Sequence, residues 1–360
     1  MKAIIFAGGV GTRLWPLSRK NSPKQFEKVI GDKSTLQLAV ERLLPDFEWE
    51  DIYISTSQKY VSIVENQLPN INPSHIISEP EARDVGPAVG LTIVNLLKNF
   101  PHTPIVILWS DHILKEDGLF RKILEASAEV VTREKDKLIF ISQKPRFASQ
   151  NLGWIEFEKE KLDRKGVKFH EFKSFHYRPN LTVAEKFLQS GHHAWNLGYF
   201  VTTPSFLWQL FKIYQPEMFD ILSQIYHTVG TSKYKITLDK LYKTLPKISF
   251  DNAILEKIKK EDAYVISENL GWSDVGAWEA LKEALQSAPE QNVTSGKVLV
   301  TDCRDTLVYN YTNQMVVTID LDGFLVINTH DVVLVCHKNS VPKIKKLVEN
   351  LSNSENEHLI

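Results

Sequence analysis

The residues with the clearest chemistry lie in a glycine-rich segment close to the N-terminus. A segment that begins at Ala7 and has three glycines in the next four positions directly follows a short apolar run, residues 3–6, which predicts a buried first strand. Glycines let the backbone turn tightly and approach a ligand closely, and consecutive exposed amides in such a turn bind anions. Arg13 adds a fixed positive charge with a fork geometry suited to phosphate oxygens. The segment predicts contacts to a nucleotide phosphate chain from Ala7, Gly8, Gly9, Gly11 and Thr12.

Two familiar glycine-loop motifs are excluded by spacing. A Walker A loop requires Gly-Lys-Ser or Gly-Lys-Thr, and neither tripeptide occurs in the sequence. A dinucleotide fingerprint requires a third glycine where this chain has Leu14. A tight turn that binds no ligand is the alternative for the glycines taken alone, and the residues that follow them make this alternative less favoured.

The length, composition and charge of the chain limit the classes of protein to which it can belong. The chain has 360 residues, enough for a large core and two domains, with 43% hydrophobic and 24% charged residues. A formal net charge of −1 provides no global field that favours nucleic acid or an anionic membrane. Cys303 and Cys336 lie in apolar runs and are expected to be buried, reduced thiols. Without a signal peptide or a membrane-spanning stretch, we expect a cytoplasmic protein.

The elements that must position these residues alternate along the first part of the chain. Strand-like apolar runs and segments with helical spacing succeed one another, which favours an α/β fold, a Rossmann-like, mostly parallel sheet with helices on both faces. Ligands of such sheets bind beyond the carboxyl ends of the strands, where both the glycine loop and Asp111 fall. The predicted strands are 52–55, 104–108 and 138–141, and the predicted helices are 36–44, 86–97 and 119–131.

The pattern changes after a polar stretch, residues 287–295, that is typical of a linker. Short β-rich segments then recur without helical spacing, which predicts a small all-β, β-solenoid-like domain followed by a helix over 342–351. The predicted boundaries are 1–286 for a nucleotidyltransferase domain, 295–351 for the β domain with its helix, and 352–360 for a flexible tail.

The sequence after the glycines carries a long motif. Residues 14–19 read Leu-Trp-Pro-Leu-Ser-Arg, and residues 23–26 read Pro-Lys-Gln-Phe. Here the chain resembles the nucleoside-diphosphate-sugar pyrophosphorylases, most of all those that make GDP-mannose, and the resemblance extends over nearly the whole chain. It implies two catalytic residues: Arg13 would grip the leaving pyrophosphate, and Lys24 would contact the reacting phosphates. Catalysis of this kind depends on positioning and on neutralising developing charge.

Two aspartates match the metal-binding motifs of the same family. Asp111 stands in Trp-Ser-Asp-His after a predicted strand, and Asp274 stands in Trp-Ser-Asp-Val-Gly. The resemblance implies that both hold the catalytic metal, and carboxylates together with phosphates are the ligands that Mg²⁺ prefers. His112 is expected to be structural, because imidazole matches Mg²⁺ poorly.

A segment from Glu79 to residue 88 resembles the part of the family that recognises the base. Glu79, Pro80 and Asp84 are the predicted contacts, and a carboxylate can accept hydrogen bonds from the ring N–H and the amine of guanine. The equally favoured alternative is that Asp84 caps a helix that begins near Pro87.

The sugar-phosphate side matches the family less closely. Gly153 stands in a segment that departs from the family's glycine- and tyrosine-rich pattern, and Arg178 keeps the positive charge that meets the sugar phosphate. Tyr177 occupies the position of a carboxylate that, in the family, accepts from sugar hydroxyls. This substitution weakens the expectation that the sugar is mannose.

Two further motifs complete the sugar side. Asn196 lies in Trp-Asn-Leu-Gly-Tyr-Phe, which matches the family well and implies a hydrogen bond to a hydroxyl. Asp251 or Glu256 could supply the missing acceptor, although either could equally be a structural cap or a salt-bridge partner.

The resemblance implies an Mg²⁺-dependent enzyme that transfers GMP from GTP to mannose 1-phosphate and releases pyrophosphate. The alternatives are the same transfer to another hexose or heptose 1-phosphate, and a catalytically silent regulatory subunit that binds nucleotide sugars. The expected partners are GTP and a sugar 1-phosphate, with no nucleic acid and no membrane, in a homodimer.

Overall fold

The computed structural model describes residues 1–9, 11 and 14–360. The strands are β1 (Lys2–Ala7), β2 (Lys28–Ile30), β3 (Lys33–Ser34), β4 (Ile52–Ser57), β5 (Ile76–Glu79), β6 (Ile105–Trp109), β7 (Leu138–Gln143), β8 (Trp154–Arg164), β9 (Val167–His176), β10 (His193–Thr202), β11 (Ala263–Glu268), β12 (Val293–Ser295), β13 (Val298–Thr301), β14 (Leu307–Asn310), β15 (Val316–Ile319), β16 (Phe324–Asn328) and β17 (Val333–His337). The α-helices are α1 (Thr35–Glu41), α2 (Val61–Gln67), α3 (Val85–Leu97), α4 (Asp117–Arg133), α5 (Leu181–Ser190), α6 (Pro204–Tyr214), α7 (Pro216–Tyr226), α8 (Tyr234–Leu241), α9 (Phe250–Ala253), α10 (Trp278–Leu285) and α11 (Pro342–Leu351).

By contacts the chain divides into two units, neither of which is continuous in sequence. The large unit comprises Met1–Gly8, Val40–Trp109 and Lys115–Leu270, and the small unit comprises Gly9–Ala39, Ser110–Leu114 and Gly271–Ile360. Three segments of the predicted domain 1–286, residues 9–39, 110–114 and 271–286, therefore belong by contact to the small unit. The predicted domain boundaries stay a prediction.

The large unit is built on a mixed sheet with the strand order β5-β4-β1-β6-β10-β7-β11-β9-β8. Strands β5, β4, β1 and β6 are parallel, as are β7 and β11, whereas β10 runs antiparallel to β6, β7 and β8. Successive residues of β1, from Ala3 to Ala7, are all buried. Because successive strand side chains point to opposite faces, both faces of the sheet are covered, as the α/β prediction requires.

Helices α3, α6 and α7 pack on one another and on one face of this sheet, and α4 packs against β7 and β10. The predicted helices over 86–97 and 119–131 are confirmed as α3 and α4. The helix predicted over 36–44 ends earlier, at Glu41, and the next residues form turns. Pro45 explains the early end, because proline disfavours helical backbone in the residue before it.

The small unit contains the predicted β-solenoid. Leu307 of β14 pairs in parallel register with Val293 of β12 and with Leu325 of β16, and β13 pairs in parallel with β15. Each turn of the chain thus stacks on the one before it. Leu307, Tyr309, Leu325 and other side chains of these strands are buried in one apolar core with Trp278 of α10.

The segment that follows the glycine loop packs within this small unit. The indole nitrogen of Trp278 donates to the carbonyl of Trp15 at 3.0 Å, and the hydroxyl of Tyr309 donates to the carbonyl of Val29 at 3.0 Å. The indole nitrogen of Trp15 in turn donates to the carbonyl of Leu359 at 2.8 Å, and Ile360 packs against the same core. The polar composition of residues 352–360 did not predict these contacts.

The helix predicted over 342–351 is confirmed as α11. Cys303 and Cys336 are free thiols, and both are half-buried rather than fully buried. Among the residues that the structure describes, no helix combines the length and apolar character needed to cross a membrane.

Candidate functional site

The glycine loop begins where β1 ends. Ala7 is buried, and its carbonyl accepts a hydrogen bond from the Thr56 hydroxyl at 2.7 Å, while Gly8 and Gly9 are exposed. Gly9 has a φ of +92°, a conformation that favours glycine. Of the other predicted residues in this loop, Thr12 and Arg13 lie outside the described residues, so their roles stay predictions.

Gly11 lies directly against the side chain of Lys24 in the small unit. Its φ is +55°, and a Cβ atom added there would lie 2.9 Å from Cδ and 3.0 Å from Cγ of Lys24. The Gln25 amide donates to the Gly9 carbonyl at 3.3 Å and ties the loop to the segment that carries Lys24. The glycine at position 11 is therefore needed for the path of the lysine as well as for the turn.

Lys24 brings both predicted metal-binding aspartates together. Its ammonium nitrogen lies 2.8 Å from Oδ2 of Asp111. The same nitrogen lies 3.4 Å from the carbonyl oxygen of Asp274 and 3.3 Å from that of Val275. Residues that are far apart in the sequence thus share one cationic partner within the small unit.

Backbone contacts hold the two aspartate segments in register. The N–H of Ile113 donates to the Ser273 carbonyl at 2.9 Å, and the N–H of Ser273 donates to the Ile113 carbonyl at 3.0 Å. Val275 is buried and has a φ of +39°, which is a strained conformation for a β-branched residue. Such strain persists where the surrounding structure enforces it, and it is concentrated at functional sites.

The carboxyl group of Asp111 is held in its ionised form. Burial would raise its pKa, but the charges of Lys24 and His112 and the hydrogen bond from Lys24 together hold the pKa below its ordinary value. His112 is buried, packs edge-on against Trp272 at 5.2 Å, and has Nε2 3.9 Å from Oδ1 of Asp111. These are the contacts of a packing residue beside the carboxylate.

The residues around Lys24 suit a hard divalent cation. The atoms that converge on Lys24 are the ionised carboxylate of Asp111 and the backbone carbonyl oxygens of Asp274 and Val275. Hard divalent cations take oxygen ligands and complete their coordination with water and substrate phosphates. The carboxylate of Asp111 therefore fits a metal-binding role, and the role of the Asp274 carboxylate, which accepts from the N–H of Gly276 at 3.4 Å, stays a prediction.

Glu79 ends β5 in the large unit and is tied to a buried tyrosine. The Tyr242 hydroxyl donates to Oε2 of Glu79 at 2.5 Å. Burial raises the pKa of Glu79 to about 7, with a further rise from the charge of Asp84 and an opposing effect of the Tyr242 hydrogen bond. Glu79 therefore titrates near neutral pH. Pro80, the next predicted contact, is half-buried.

Asp84 occupies the N-terminal cap of α3. It has a φ of +68°, and its Oδ1 accepts from the N–H of Val85 at 2.7 Å. Asp84 therefore stands at the N-cap position, with the helix beginning at Val85 rather than near Pro87, and its side chain accepts from the first helical N–H instead of the second or third that a typical cap uses. Just inside the helix, the N–H of Gly86 donates to the Ile248 carbonyl at 2.9 Å, and an added Cβ at Gly86 would lie 2.7 Å from that oxygen.

Three predicted sugar-side residues come together in the large unit. The Asn196 amide nitrogen donates to Oδ1 of Asp251 at 3.1 Å, and its amide oxygen accepts from the N–H of Gly198 at 2.9 Å. The backbone N–H of Asn196 donates to the Gly153 carbonyl at 2.8 Å. These contacts fix the orientation of the Asn196 amide.

The pKa of Asp251 is influenced by a residue predicted to contact the base, Asp84, and by one predicted to contact the sugar phosphate, Arg178. Burial raises its pKa, Glu256 and Asp84 raise it further, and a hydrogen bond to the backbone and the charge of Arg178 oppose the rise. Arg178 itself is exposed, with its guanidinium carbon 5.0 Å from the centre of the Tyr177 ring. The Tyr177 ring is thus the described neighbour of the Arg178 guanidinium.

Comparison with known proteins assigns the chain to a family. The family model described as Nucleotidyl transferase matches residues 2–291. The chain belongs to the nucleotidyl transferase family. A second model, described as MannoseP isomerase/GMP-like beta-helix domain, matches residues 296–351 of this nucleotidyl transferase.

Relatives of this nucleotidyl transferase match it over nearly its full length. Mannose-1-phosphate guanylyltransferase 2 of Escherichia coli O157:H7 is 30% identical over 97% of this chain and 73% of the relative. Mannose-1-phosphate guanylyltransferase of Salmonella muenchen is 30% identical over 99% of this chain and 74% of the relative. A solved structure from Thermus thermophilus, described as a mannose-1-phosphate geranyltransferase, superposes with a TM-score of 0.86 and 28% identity over 97% of this chain and 98% of that one.

Several features of the nucleotidyl transferase site were not predicted from the sequence. Tyr242 bonds to Glu79 across 163 residues of chain, and no local pattern marks it. The carbonyl of Val275 and the approach of Ile248 to Gly86 are backbone contacts, which side-chain patterns do not reveal. Gly86 was the one available signal, because glycine permits close backbone approach.

Proposed function

We propose that this nucleotidyl transferase transfers GMP from GTP to mannose 1-phosphate, giving GDP-mannose and pyrophosphate. The observation that carries the proposal is the convergence of Lys24, Asp111 and Asp274 in the small unit. It provides fixed charges of both signs, as needed for transfer between phosphates. The relatives named as mannose-1-phosphate guanylyltransferases support the choice of nucleotide and sugar.

The reaction is an in-line displacement at the α-phosphorus. An oxygen of the sugar phosphate, already ionised and nucleophilic, forms the new P–O bond as the bond to pyrophosphate breaks, and no covalent enzyme intermediate is needed. Lys24 contacts the reacting phosphates and neutralises charge that develops on them. Arg13, which lies outside the described residues, is proposed to hold the leaving pyrophosphate. Mg²⁺, held by Asp111 and Asp274, supplies further neutralisation of the phosphate oxygens when bound.

Recognition of the two substrates is assigned to the large unit. Glu79 in its ionised form accepts from the ring N–H and amine of guanine, and Asp84 both caps α3 and adds negative charge there. Asn196, oriented by Asp251, donates to or accepts from a sugar hydroxyl. Arg178, exposed beside Tyr177, meets the sugar phosphate. The homodimer and the cytoplasmic location stay predictions.

A substrate panel tests the proposal. Pyrophosphate release is measured for the purified chain with mannose, glucose, galactose and heptose 1-phosphates, each combined with GTP, ATP, UTP and dTTP. We expect the highest kcat/KM for mannose 1-phosphate with GTP. A higher value for another sugar would replace mannose as the substrate, and no release with any pair would identify the chain as a silent binding subunit.

A further inference from the structure

A cluster of potential metal-binding side chains, none of which has been assigned a role above, lies in the large unit. Glu156 of β8, His176 of β9 and His193 of β10 each offer one ligand atom, and these atoms all lie within 4.8 Å of one another. His193 and Ser174 are the register partners of Glu156 on the two neighbouring strands, and His176 is two residues beyond Ser174. Because side chains alternate between faces with a period of two, the sheet places all three ligands on one face.

One ring nitrogen of His193, Nε2, has no hydrogen-bond partner among the described residues. The residue is only 7% exposed, and this nitrogen is buried. Its Nδ1 lies 2.7 Å from the Ser190 hydroxyl, and the Phe187 ring stacks on the imidazole at 4.0 Å. With Nδ1–H donating to Ser190, the lone pair of Nε2 has no partner. A hydrogen bond from the ring nitrogen that does not bind the metal, such as the one from Nδ1 to Ser190, is how proteins orient histidine ligands.

The other two ligands already lie close to each other. Nε2 of His176 lies 3.7 Å from Oε2 of Glu156, and the Ser174 hydroxyl lies 2.8 Å and 2.7 Å from these same atoms. Tetrahedral zinc, with bond lengths near 2.0–2.2 Å, places its ligand atoms about 3.3 Å apart. Small side-chain rotations suffice to bring the cluster to that spacing.

We propose that Glu156, His176 and His193 bind a divalent transition-metal ion of the Zn²⁺ class. Two imidazoles with one carboxylate suit Zn²⁺ and match Mg²⁺ poorly. Three protein ligands leave a position for water or for the Ser174 hydroxyl. The site differs in residues and in ligand chemistry from the oxygen donors of Asp111 and Asp274, and it does not depend on the proposed function.

The charges that face the cluster are compatible with a cation. Lys173 is the cationic neighbour, with its ammonium 2.7 Å from Oε1 of Glu156, which leaves Oε2 for the ion. A bound ion takes Glu156 as a carboxylate and the two histidines as neutral imidazoles.

An ion bound by this cluster would link the ends of strands β8, β9 and β10. His176 is the last residue of β9, and the chain continues from it through Tyr177 to Arg178. His193 is the first residue of β10, the strand that carries Asn196. The ion would thus limit the motion of both segments without touching a substrate.

A binding titration on the 360-residue chain tests the site. The chain is freed of metal by a chelator, and Zn²⁺ is then titrated in competition with a chromophoric chelator, with excess Mg²⁺ present to occupy oxygen sites. We expect one Zn²⁺ per chain and a rise in Tm on binding. His176→Gln, which changes a partly exposed side chain, should weaken binding at least about a hundredfold. Ser190→Ala, which removes the partner of Nδ1 together with the bonds of the same hydroxyl to Phe187 and His192 but leaves all three ligands, should weaken binding about tenfold.

His192→Gln is the matched control, because His192 is exposed and adjacent to His193 but is not one of the ligands. Its affinity should equal that of the parent. Co²⁺ in place of Zn²⁺ should give the visible absorption of a tetrahedral site in the parent and lose it in His176→Gln. The proposal fails if the parent binds no Zn²⁺ under these conditions, or if His176→Gln and His192→Gln bind it equally.

Discussion

The proposed metal-binding carboxylate of Asp111 in the small unit and the proposed recognition carboxylates of Glu79 and Asp251 in the large unit lie in opposite electrostatic surroundings. Asp111 has a lysine at 2.8 Å, and its pKa lies below the ordinary value. Glu79 and Asp251 have no such partner among the described contacts, and burial raises the pKa of both. A cationic partner offsets the cost of burying a carboxylate, whereas a tyrosine or an asparagine offsets it only in part.

This difference follows the division of labour that we propose. A group that neutralises charge during transfer must be charged in every catalytic cycle, so a paired, permanently ionised carboxylate serves it well. A group that recognises a base or a hydroxyl needs only a hydrogen bond of the right polarity. Its neighbours can therefore offset the free-energy cost of burying its charge less completely. Charge should therefore matter most in the small unit, and hydrogen bonding in the large one.

The most severe test of the comparison is removal of the charge of Asp111. Asp111→Asn keeps the shape but leaves Lys24 without its anionic partner and removes a proposed metal ligand. We expect turnover to fall at least about a hundredfold with little change in Tm. Pyrophosphate release and a thermal melt are measured on the same preparation. Asp320→Asn, an exposed aspartate of the same unit, serves as the control and should retain activity. Near-normal turnover in Asp111→Asn would contradict the proposal that Asp111 binds the catalytic metal.

The next test separates the position of Lys24 from its charge. In Gly11→Ala the new methyl group would lie 2.9 Å from Cδ of Lys24 and must displace it. We expect a loss of at least about tenfold in kcat, since small misplacements of catalytic groups are costly.

Gly31→Ala provides a matched control for Gly11→Ala. The φ of Gly31 is +58°, close to the +55° of Gly11, but an added Cβ would meet nothing within 4 Å. Both variants should lose about 1 kcal/mol of stability from the backbone strain. Only Gly11→Ala should lose activity. Equal activity losses would attribute the effect to strain in the backbone rather than to Lys24.

The hydrogen-bonding half of the comparison is tested at Asn196. Asn196→Ala removes the amide that Asp251 orients, so the KM for the sugar phosphate should rise about tenfold with a smaller change in kcat, as expected for about 1.4 kcal/mol. Asn95→Ala is the control, since Asn95 is a partly buried asparagine of the same unit that hydrogen-bonds to Tyr234. A fall in kcat at unchanged KM would place Asn196 among the groups that act on the transition state.

The sequence predicted local features better than long-range contacts. The helix over 342–351 was predicted at its observed bounds, because a proline at the start and an amphipathic spacing specify it locally. The residue types near Lys24 were also predicted, since they carry family motifs. That Lys24 lies 2.8 Å from Asp111, and that Leu359 accepts from Trp15, depends on packing between distant segments, which local patterns do not encode.

The smallest expected effect concerns the proton on Glu79. If the ionised form recognises guanine, the KM for GTP should rise as the pH falls through about 7. The Tyr242 hydrogen bond lowers the pKa of Glu79, so Tyr242→Phe should move the midpoint of this profile upward by about one unit. The phosphates of GTP titrate in the same range in both proteins, and the difference between the profiles isolates Glu79. Tyr234→Phe, which removes a hydroxyl bonded to Asn95 instead, should leave the midpoint unchanged.

Stability measurements check the sign of the same effect. The pKa of Glu79 is higher in the folded chain, about 7, than its ordinary value of 4.5. Its contribution to stability is therefore fully present below about pH 4.5 and is lost as the pH rises through 7. Glu79→Gln should accordingly stabilise the fold at pH 8 by at most about 3 kcal/mol, and by much less at pH 4.5. If Glu79→Gln destabilised the chain at pH 8, the carboxylate would have to be compensated as fully as that of Asp111, and the contrast between the two units would not hold.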